Sequence, residues 1–451
     1  MSNSSKMSAK QRIEALVDAN SFVEIGGNVT KRNTDFNMQE QTVPADGVIT
    51  GYGVIDSELV YVYSQDVTAM NGSIGEMHAG KIARLYDMAM KAGAPVIGLI
   101  DCAGVRVQEA VDALAGFGQV YKSKVKASGV IPQISAVLGA CGGGSAVSSL
   151  LSDFTFMDAS NGRLFVNSPN AIDANNIDKC DTSLGEFQAK AGNVDFLCEN
   201  EAEVLTGIRS LISVLPANFD DYAGMENDDD MNRVISGFDV KNPAASLAEI
   251  ADNNNFIEVK KNHATDMICG LMTLNGVTVG AVANGADAVF TTAGCKKAEK
   301  FVYFCDAFGI PVITFTNVKT YASSKEEEMT IGQAVADLTC AFASAEVAKV
   351  NVITGEAFGS AYIAMNSRHI GADLVIALEG AKVGVMDAEN AVKIMYDDIK
   401  DSSELDEKVK EFDAMQCDAN NAAKRGYVDN IVEASELRKQ LIYAMQMFGM
   451  R

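Results

Sequence analysis

The chain has 451 residues, of which 37 are Lys or Arg and 60 are Asp or Glu, so its formal net charge is −23. This acidic balance excludes a nucleic-acid-binding surface, because phosphate recognition requires clustered positive charge. Nine cysteines without CxxC spacing argue against a zinc ribbon and favour reduced thiols in the cytoplasm, and no apolar run approaches the ~18 residues that span a membrane.

The N-terminal half of the chain predicts strands that alternate with helices. In chain order the elements are a strand at 59–66, a helix at 76–93, a strand at 95–102, a helix at 110–125 and a strand at 131–139. A glycine-rich turn then leads into another helix. Because short apolar strands alternate with amphipathic helices, the pattern predicts an α/β fold with buried strands.

The sequence contains an internal repeat. The segment GAPVIGL at 93–99 recurs as GIPVITF at 309–315, a displacement of 309 − 93 = 216 positions. The same displacement joins Gly143 to Gly359 without an intervening gap. Equal spacing over this length predicts two related domains that arose by internal duplication.

We place the two predicted domains at residues 1–235 and 236–451, joined by an acidic segment at 225–232. A run of like charges is more typical of a solvated linker than of a metal site. We therefore expect no metal ligands in this segment and no metal centre in the chain.

Two glycine-rich turns are the strongest candidates for a functional site. They lie in LGACGGGSAVSSLL at 138–151 and TGEAFGSAYIAM at 354–365, each after an apolar strand and before a helix. Backbone N–H groups at a helix start lack internal partners, and glycine lets a ligand approach them closely. Such donors stabilise an oxyanion or an enolate. Tight packing of helix on strand explains one such turn equally well, but two turns at equivalent repeat positions favour binding.

The sequence around these turns resembles the biotin-dependent acyl-CoA carboxyltransferases. The similar segments are SQDVTAMNGSIGEMHAGKI, AGAPVIGLIDCAGVRVQEAVDALAGFGQVY, ASGVIPQISAVLGACGGGSAV, FVYFCDAFGIPVITF and VITGEAFGSAYIAMNSRHIGAD. They occur in the family's order over most of the chain. The family includes the β subunits of propionyl-CoA and related carboxylases and the α subunits of sodium-pumping decarboxylases.

The resemblance implies two tandem crotonase-like domains, each a ββα superhelix. It assigns acyl-CoA to the N-terminal domain and biotin to the C-terminal domain. It also implies a homo-oligomer, usually a hexamer, whose active sites form between the N domain of one subunit and the C domain of another. We find neither a biotinylated-lysine motif nor an ATP-binding signature. Biotin would therefore arrive on a separate carrier protein, with a biotin carboxylase or a membrane decarboxylase subunit as a further partner.

Carried over by position, the resemblance implies an oxyanion pair at the amides of Gly143 and Gly144. A second pair would be the amides of Ser360 and Ala361, where the family usually has Gly and Ala. One pair would hold the acyl-CoA enolate and the other the ureido oxygen of biotin. Ile363 falls where the family tunes its acyl-chain preference. We expect the Ser360 hydroxyl to point away from the cavity, so that Ser360→Gly would retain activity.

This chemistry requires no side-chain base, because the biotin enolate that is released can take the α-proton of the thioester. The chain has three histidines, and we interpret His78 as structural rather than catalytic. The lysines of KSKVK are interpreted as a solvated face rather than a site for the CoA 3′-phosphate; they are Lys122, Lys124 and Lys126.

Several segments depart from the family pattern. The family's SGGAR is CAGVR at 102–106, in which Gly104 and Arg106 remain near the expected acyl-CoA pocket. Arg106 could meet a CoA phosphate or form a structural salt bridge. The family's PGFxPG, near the biotin site, is replaced by VKTYASSKEEE at 318–328. The acyl-CoA side is therefore predicted more firmly than the biotin side.

Three functions are consistent with these residues. The first is the carboxyltransferase subunit of an acyl-CoA carboxylase, located in the cytoplasm. The second is the α subunit of a sodium-translocating acyl-CoA decarboxylase of the methylmalonyl-CoA type, which runs the transfer in reverse. The third, favoured only by the altered biotin-side segment, is a non-catalytic acyl-CoA-binding subunit.

Overall fold

The computed structural model describes residues 6–34, 43–221, 224, 227–399 and 401–448. The chain folds as two compact units, Met1–Tyr222 and Ala223–Arg451. Residues 227–232 of the expected acidic linker belong to the second unit, and residues 225 and 226 lie outside the described residues.

The first unit is built on a mixed sheet. Its strands are β1 (Val23–Ile25), β2 (Val48–Ile55), β3 (Glu58–Gln65), β4 (Val96–Cys102), β5 (Gln133–Gly142), β6 (Phe154–Asp158), β7 (Arg163–Phe165) and β8 (Phe196–Cys198). The spatial order is β1-β2-β3-β4-β5-β6-β8, and β7 pairs with the end of β5. The β1–β2 and β2–β3 pairs are antiparallel, and the other pairs are parallel.

Helices connect the parallel strands of the first unit, and one further helix precedes the first strand and another follows the last. They are α1 (Ala9–Leu16), α2 (Glu76–Ala92), α3 (Ala110–Ala127), α4 (Gly144–Leu150), α5 (Asp173–Asp178), α6 (Gly185–Lys190) and α7 (Glu201–Ile212). Helix α2 ends at Gly93, whose φ of 65° is the left-handed conformation that glycine adopts easily. Every residue of β4 is buried, as expected for a central parallel strand covered on both faces.

The second unit has the same plan. Its strands are β9 (Phe256–Val259), β10 (Met267–Leu274), β11 (Val277–Asn284), β12 (Val289–Phe290), β13 (Val312–Val318), β14 (Thr320–Tyr321), β15 (Lys349–Phe358), β16 (Leu374–Leu378), β17 (Lys382–Gly384) and β18 (Asn430–Val432). The main sheet runs β9-β10-β11-β13-β15-β16-β18, with β17 beside the end of β15, and β12 pairs with β14 separately.

The helices of the second unit follow the same alternation and add a helical segment before the last strand. They are α8 (Pro243–Ile250), α9 (Thr292–Ala307), α10 (Lys325–Glu328), α11 (Ile331–Ser344), α12 (Gly359–Ala364), α13 (Ala388–Met395), α14 (Ser402–Phe412), α15 (Ala419–Lys424) and α16 (Leu437–Phe448). The helices α13, α14 and α15 lie between β17 and β18 in the chain.

The strand registers repeat between the two units. Val96 of β4 pairs with Gln133 of β5, and 216 positions later Val312 pairs with Lys349. Both pairings also shift register at the same point, between Ile100 and Cys102 in β4 and between Thr316 and Val318 in β13. A shared register and a shared irregularity confirm the internal duplication that the sequence predicts.

A buried lysine recurs at the same place in both units. Lys81 of α2 donates from Nζ to the carbonyl oxygens of Ala45, at 2.8 Å, and of Val48. Its counterpart Lys297 of α9 donates to the carbonyls of Lys260 and His263, at 3.0 and 2.9 Å. Burial lowers the pKa of both amines, that of Lys81 to about 8. Each lysine therefore holds its helix against the segment of chain that joins the first two strands of the sheet.

The cysteine side chains are free thiols at all nine positions. No helix in the described residues is both long and apolar enough to cross a membrane.

Candidate active site

The first glycine turn links the buried strand β5 to helix α4. Gly143 has φ 58° and ψ −123°, a backbone conformation that a residue with a side chain adopts only with strain. A Cβ atom at this position would meet nothing within 4 Å. The requirement for glycine at 143 is therefore conformational and does not arise from crowding.

The amide of Gly143 is already used within the fold. Its N–H donates to the carbonyl oxygen of Phe165 in β7, at 2.9 Å. Within the described residues, the amides of Gly144 and Ser145 have no backbone acceptor. The sequence-based assignment of Gly143 as a donor is thus corrected: Gly143 shapes the turn, and the available pair is Gly144 and Ser145.

Helix α3 packs closely against this turn. The Tyr121 hydroxyl donates to the carbonyl oxygen of Gly144, at 2.7 Å. A Cβ atom on Gly144 would stand 3.0 Å from both the Phe117 ring and the Tyr121 hydroxyl. A side chain at position 144 would therefore have to push these two rings aside, and Tyr121 holds the Gly144 peptide unit in one orientation.

The second glycine turn links β15 to α12 and has the same form. Gly359 has φ 62°, close to the 58° of its counterpart Gly143. In the part of the chain that the structure describes, the amides of Ser360 and Ala361 have no backbone acceptor. Counted back by 216, Ser360 and Ala361 correspond to Gly144 and Ser145. The displacement of 216 therefore also indicates Gly144 and Ser145 as the donor pair of the first unit.

The side chain of Ser360 has a specific partner. Its Oγ accepts a hydrogen bond from the Tyr321 hydroxyl at 2.7 Å. Tyr321 is the last residue of β14 and lies in the segment 318–328 that departs from the family pattern. Its ring packs against that of Phe290, with centroids 6.2 Å apart. Sequence reasoning missed this residue, because only the fold brings β14 to the second turn.

A cavity of about 590 Å³ opens beside the second turn. Gly359, Ser360 and Ile363 line it from the turn and from α12, and 40% of Ile363 is exposed. The remaining wall is largely apolar and aromatic and comes from β17, α13, α14 and the residues around α15; it includes Val383, Val385, Met395, Tyr396, Phe412, Met415 and Tyr427. Its size is within the range of pockets that hold small ligands.

Arg106 is not available to a ligand. Its side chain is completely buried, and Nη1 contacts Asp46 and also Glu109 Oε1, at 2.9 Å. Nη2 donates to the carbonyl oxygen of Ser73 at 2.8 Å. The binding of a CoA phosphate by Arg106 is therefore corrected to the structural salt bridge that the sequence left open.

Gly104 does lie near the first turn. It has φ 111°, its N–H contacts the thiol of Cys102, and a Cβ atom would stand 3.5 Å from the carbonyl oxygen of Gly142. Ser145 Oγ contacts the same thiol at 3.1 Å. Gly104 and the turn are thus brought together, whereas Arg106, two residues further on, points into the core.

The histidine inventory agrees with a site that uses backbone donors. His78 is fully buried; its Nδ1 is 2.9 Å from the carbonyl oxygen of Asp46, and its Nε2 is 3.2 Å from Gln65 Nε2. Burial lowers the pKa of His78 to about 3, so the ring is neutral at physiological pH. His369 lines the cavity and packs against the rings of Tyr362 and Tyr427.

The chain matches a family model described as the carboxyl transferase domain, over residues 2–449. It is 36% identical to the propionyl-CoA carboxylase β chain of Roseobacter denitrificans, covering 97% of this chain and 90% of that protein. It is also 36% identical to the methylmalonyl-CoA decarboxylase subunit alpha of Propionigenium modestum, covering 98% of this chain and 90% of that protein.

The fold is similar to that of a solved transcarboxylase 12S, described as a hexamer with methylmalonyl-coenzyme A and methylmalonic acid bound. The TM-score is 0.92 at 32% sequence identity, over 99% of this chain and 90% of that one. This likeness confirms the α/β, crotonase-like fold that the sequence resemblance implied.

Proposed function

The chain belongs to the carboxyl transferase family and is an acyl-CoA carboxyltransferase, and on that premise we propose how it works. It moves a carboxyl group between carboxybiotin, borne by a separate carrier protein, and the α-carbon of a short acyl-CoA. One observation carries this proposal: both units present a pair of amides without a backbone acceptor at the same position of the repeat.

The two turns serve different ligands. Gly144 and Ser145 bind the thioester oxygen of acyl-CoA, whose negative charge grows as the enolate forms. Ser360 and Ala361 bind the ureido oxygen of biotin. Preorganised donors of this kind act where charge develops, and the loss of one typically costs ~2.7–4 kcal/mol of activation free energy.

The residues of this chain position the two ligands and stabilise the negative charge of the enolate. They do not give or take protons. When bound, carboxybiotin would supply the carboxyl group to the α-carbon and, once that group has left, would accept the α-proton of the thioester. Neutral, buried His78 cannot perform this step, because its ring nitrogens face the carbonyl of Asp46 and the amide of Gln65. Orientation of the two ligands and charge stabilisation therefore account for catalysis.

The second turn fits a fused ring system such as that of biotin. The adjoining cavity of about 590 Å³ has a largely apolar wall, and its polar and charged lining residues include Ser360, His369, Tyr396, Lys408, Glu411, Gln416, Arg425 and Tyr427. A ring system in that cavity can place its carbonyl oxygen against the amides of Ser360 and Ala361. Ile363 lines the same cavity, and its assignment to acyl-chain preference stays a prediction from the family resemblance.

We infer the substrate class and the partners from the names of the similar proteins. A short acyl-CoA of the propionyl or methylmalonyl kind is proposed, because the relatives' names specify these thioesters. The partners are a biotin carboxyl carrier protein and either a biotin carboxylase or a membrane decarboxylase subunit. Further copies of this chain complete a hexamer, as in the similar transcarboxylase. Nine free thiols support a cytoplasmic location, where thiols stay reduced.

Reverse transfer, as in a methylmalonyl-CoA decarboxylase, is a second candidate. It is favoured by the equal identity, 36%, to the carboxylase β chain and to the decarboxylase α subunit. Both directions use the same enolate and the same amide donors.

The test is an assay of the purified chain with carboxylated free biotin and a panel of acyl-CoA thioesters. We expect carboxylation of at least one short acyl-CoA, and transfer from its carboxylated form back to free biotin. Absence of turnover with every thioester, in both directions, would contradict the proposal and favour a non-catalytic acyl-CoA-binding subunit.

A further inference from the structure

Two hydroxyl groups meet at the second turn and have no equivalent at the first. The Tyr321 hydroxyl lies 2.7 Å from Ser360 Oγ. At the first turn, the position of Ser360 is occupied by Gly144, and the tyrosine that reaches it, Tyr121, bonds to a backbone carbonyl instead. Position 360 of the second turn therefore carries a side-chain hydrogen bond where position 144 of the first turn has no side chain, and the hydroxyl of the first turn, that of Ser145, bonds to the Cys102 thiol instead.

The direction of this hydrogen bond determines what Ser360 can do. Tyr321 donates and Ser360 Oγ accepts. Burial raises the pKa of Tyr321, so the phenol keeps its proton at neutral pH and remains a donor. A serine hydroxyl has one hydrogen to donate in addition to its acceptor sites. The hydrogen of Ser360 is therefore left for another acceptor.

That acceptor can come from the cavity. Ser360 is exposed and lines the cavity of about 590 Å³, together with Gly359 and Ile363. Tyr321 is half-buried, and its contact with Phe290 limits where its hydroxyl can lie. A hydroxyl that accepts one hydrogen bond also becomes a stronger donor, because chains of hydrogen bonds polarise one another.

Resting on the proposed function, we propose that the Ser360 hydroxyl is an additional hydrogen-bond donor to the ligand oxygen at the second turn, and that Tyr321 is the residue that positions it. The site then has the amides of Ser360 and Ala361 and one side-chain hydroxyl, whereas at the first site the hydroxyl of Ser145 donates to the Cys102 thiol. This replaces the sequence-based expectation that Ser360→Gly would retain activity.

The experiment measures transfer of the carboxyl group from methylmalonyl-CoA to free biotin by the full chain, with kcat and both KM values. The variants are Ser360→Ala, Ser360→Thr, Tyr321→Phe and the double variant Ser360→Ala with Tyr321→Phe. Tyr443→Phe, an exposed tyrosine on α16, is the matched control. Thermal melting of each variant shows whether the fold is kept.

We expect Ser360→Ala to lower kcat about tenfold and Tyr321→Phe about threefold, within the range for one neutral hydrogen bond, with little change in either KM. The double variant should be no slower than Ser360→Ala, because Tyr321 acts through Ser360. Ser360→Thr should lose less kcat than Ser360→Ala, since it keeps the hydroxyl. Tyr443→Phe should match the wild type.

The outcomes separate this inference from the function on which it rests. If the wild type transfers the carboxyl group but Ser360→Ala and Tyr321→Phe keep its kcat, the inference is wrong and the proposed function stands. Additive losses in the double variant, or losses that Ser360→Thr shares, would also overturn the inference. A wild type inactive with this thioester and with every other CoA thioester would overturn both.

Discussion

The two glycine turns have the same backbone conformation and differ in the side chains that surround them. Gly143 and Gly359 have φ values of 58° and 62°, and each is followed by two amides without a backbone acceptor in the described residues. At the first turn, Phe117 and Tyr121 stand 3.0 Å from a Cβ placed on Gly144, so a side chain at that position would have to displace them. At the second turn, Ser360 fits, and its hydroxyl is bonded to Tyr321.

This difference shows which properties duplication preserves. The donors are backbone atoms fixed by strand and helix geometry, so they persist while side chains change. The space around them depends on side chains, and it has diverged between a turn crowded by α3 and a turn that borders a large cavity. Two similar sets of donors can therefore receive two different ligands.

The largest predicted effect concerns a buried ion cluster of the first unit whose arginine has no counterpart in the second. Arg106 contacts Asp46 and Glu109 in the core, whereas position 322, its counterpart at a displacement of 216, is alanine. Arg106→Met should lower the free energy of unfolding by about 3–5 kcal/mol, because two carboxylates lose their partner. Urea unfolding measures this loss, and the half-exposed Arg32 supplies a control, Arg32→Met, that should unfold like the wild type. An Arg106→Met variant of normal stability with a raised KM for acyl-CoA would instead restore the phosphate-binding assignment.

The next largest effect concerns the crowded turn. Gly144→Val should lower kcat by about 10²–10³, because the side chain both covers the amide donors and displaces Phe117 and Tyr121. Gly118→Ala, on α3 with open space around its Cβ, is the matched control and should keep activity. Steady-state kinetics with circular dichroism tests this. A folded Gly144→Val variant with wild-type kcat would remove the first oxyanion site from the mechanism.

A pH-dependent effect is expected from Lys124, which is fully buried and bonds to Ser135 and Ser152. Burial lowers its pKa from 10.5 to about 7. Between these values the unfolded chain binds more protons than the folded chain, so Lys124 makes stability rise with pH in that window, by at most about 1.4 kcal/mol per pH unit. Lys124→Met should remove this rise. Unfolding free energies at pH 7, 8 and 9 measure it, and equal slopes in the variant and the wild type would contradict the burial of the amine.

The smallest predicted effect is a difference in stability between alanine variants at two helix ends that occupy equivalent positions of the repeat. Gly93 and Gly309 both have φ 65°, so alanine at either should cost about 1 kcal/mol of backbone strain. A Cβ at 93 would also meet Asn218 at 2.9 Å, whereas one at 309 meets nothing within 4 Å. Gly93→Ala should therefore be the less stable variant in thermal unfolding. The opposite order would contradict crowding by Asn218 as the cause of the difference.

The architecture could be predicted from the sequence because the two duplicated units keep the same spacing between their strands and helices. The displacement of 216 that relates GAPVIGL to GIPVITF reappears in the pairing of β4 with β5 and of β13 with β15. The helix predicted at 76–93 is α2, which ends one residue earlier with Gly93 as its cap. The spacing of apolar residues and the glycines at the ends of elements were sufficient to predict these strands and helices.

The contacts of individual side chains could not be predicted in the same way. Lys124 was interpreted as part of a solvated face with Lys122 and Lys126, yet it is buried, because helical rotation separates alternate residues. Gly143 was assigned as a donor because it is a glycine in the turn, but its amide bonds to Phe165, which lies on a strand 22 positions away. Both errors come from partners that only the tertiary fold supplies.

The central claim is that the amides of Gly144 and Ser145 hold the thioester oxygen. A crystal structure of this chain with a non-reactive CoA thioester tests it most directly. The account predicts a thioester oxygen at about 2.7–3.1 Å from both amide nitrogens, with the Gly143 N–H still bonded to Phe165. A thioester oxygen bound elsewhere, with both amides facing solvent, would contradict it.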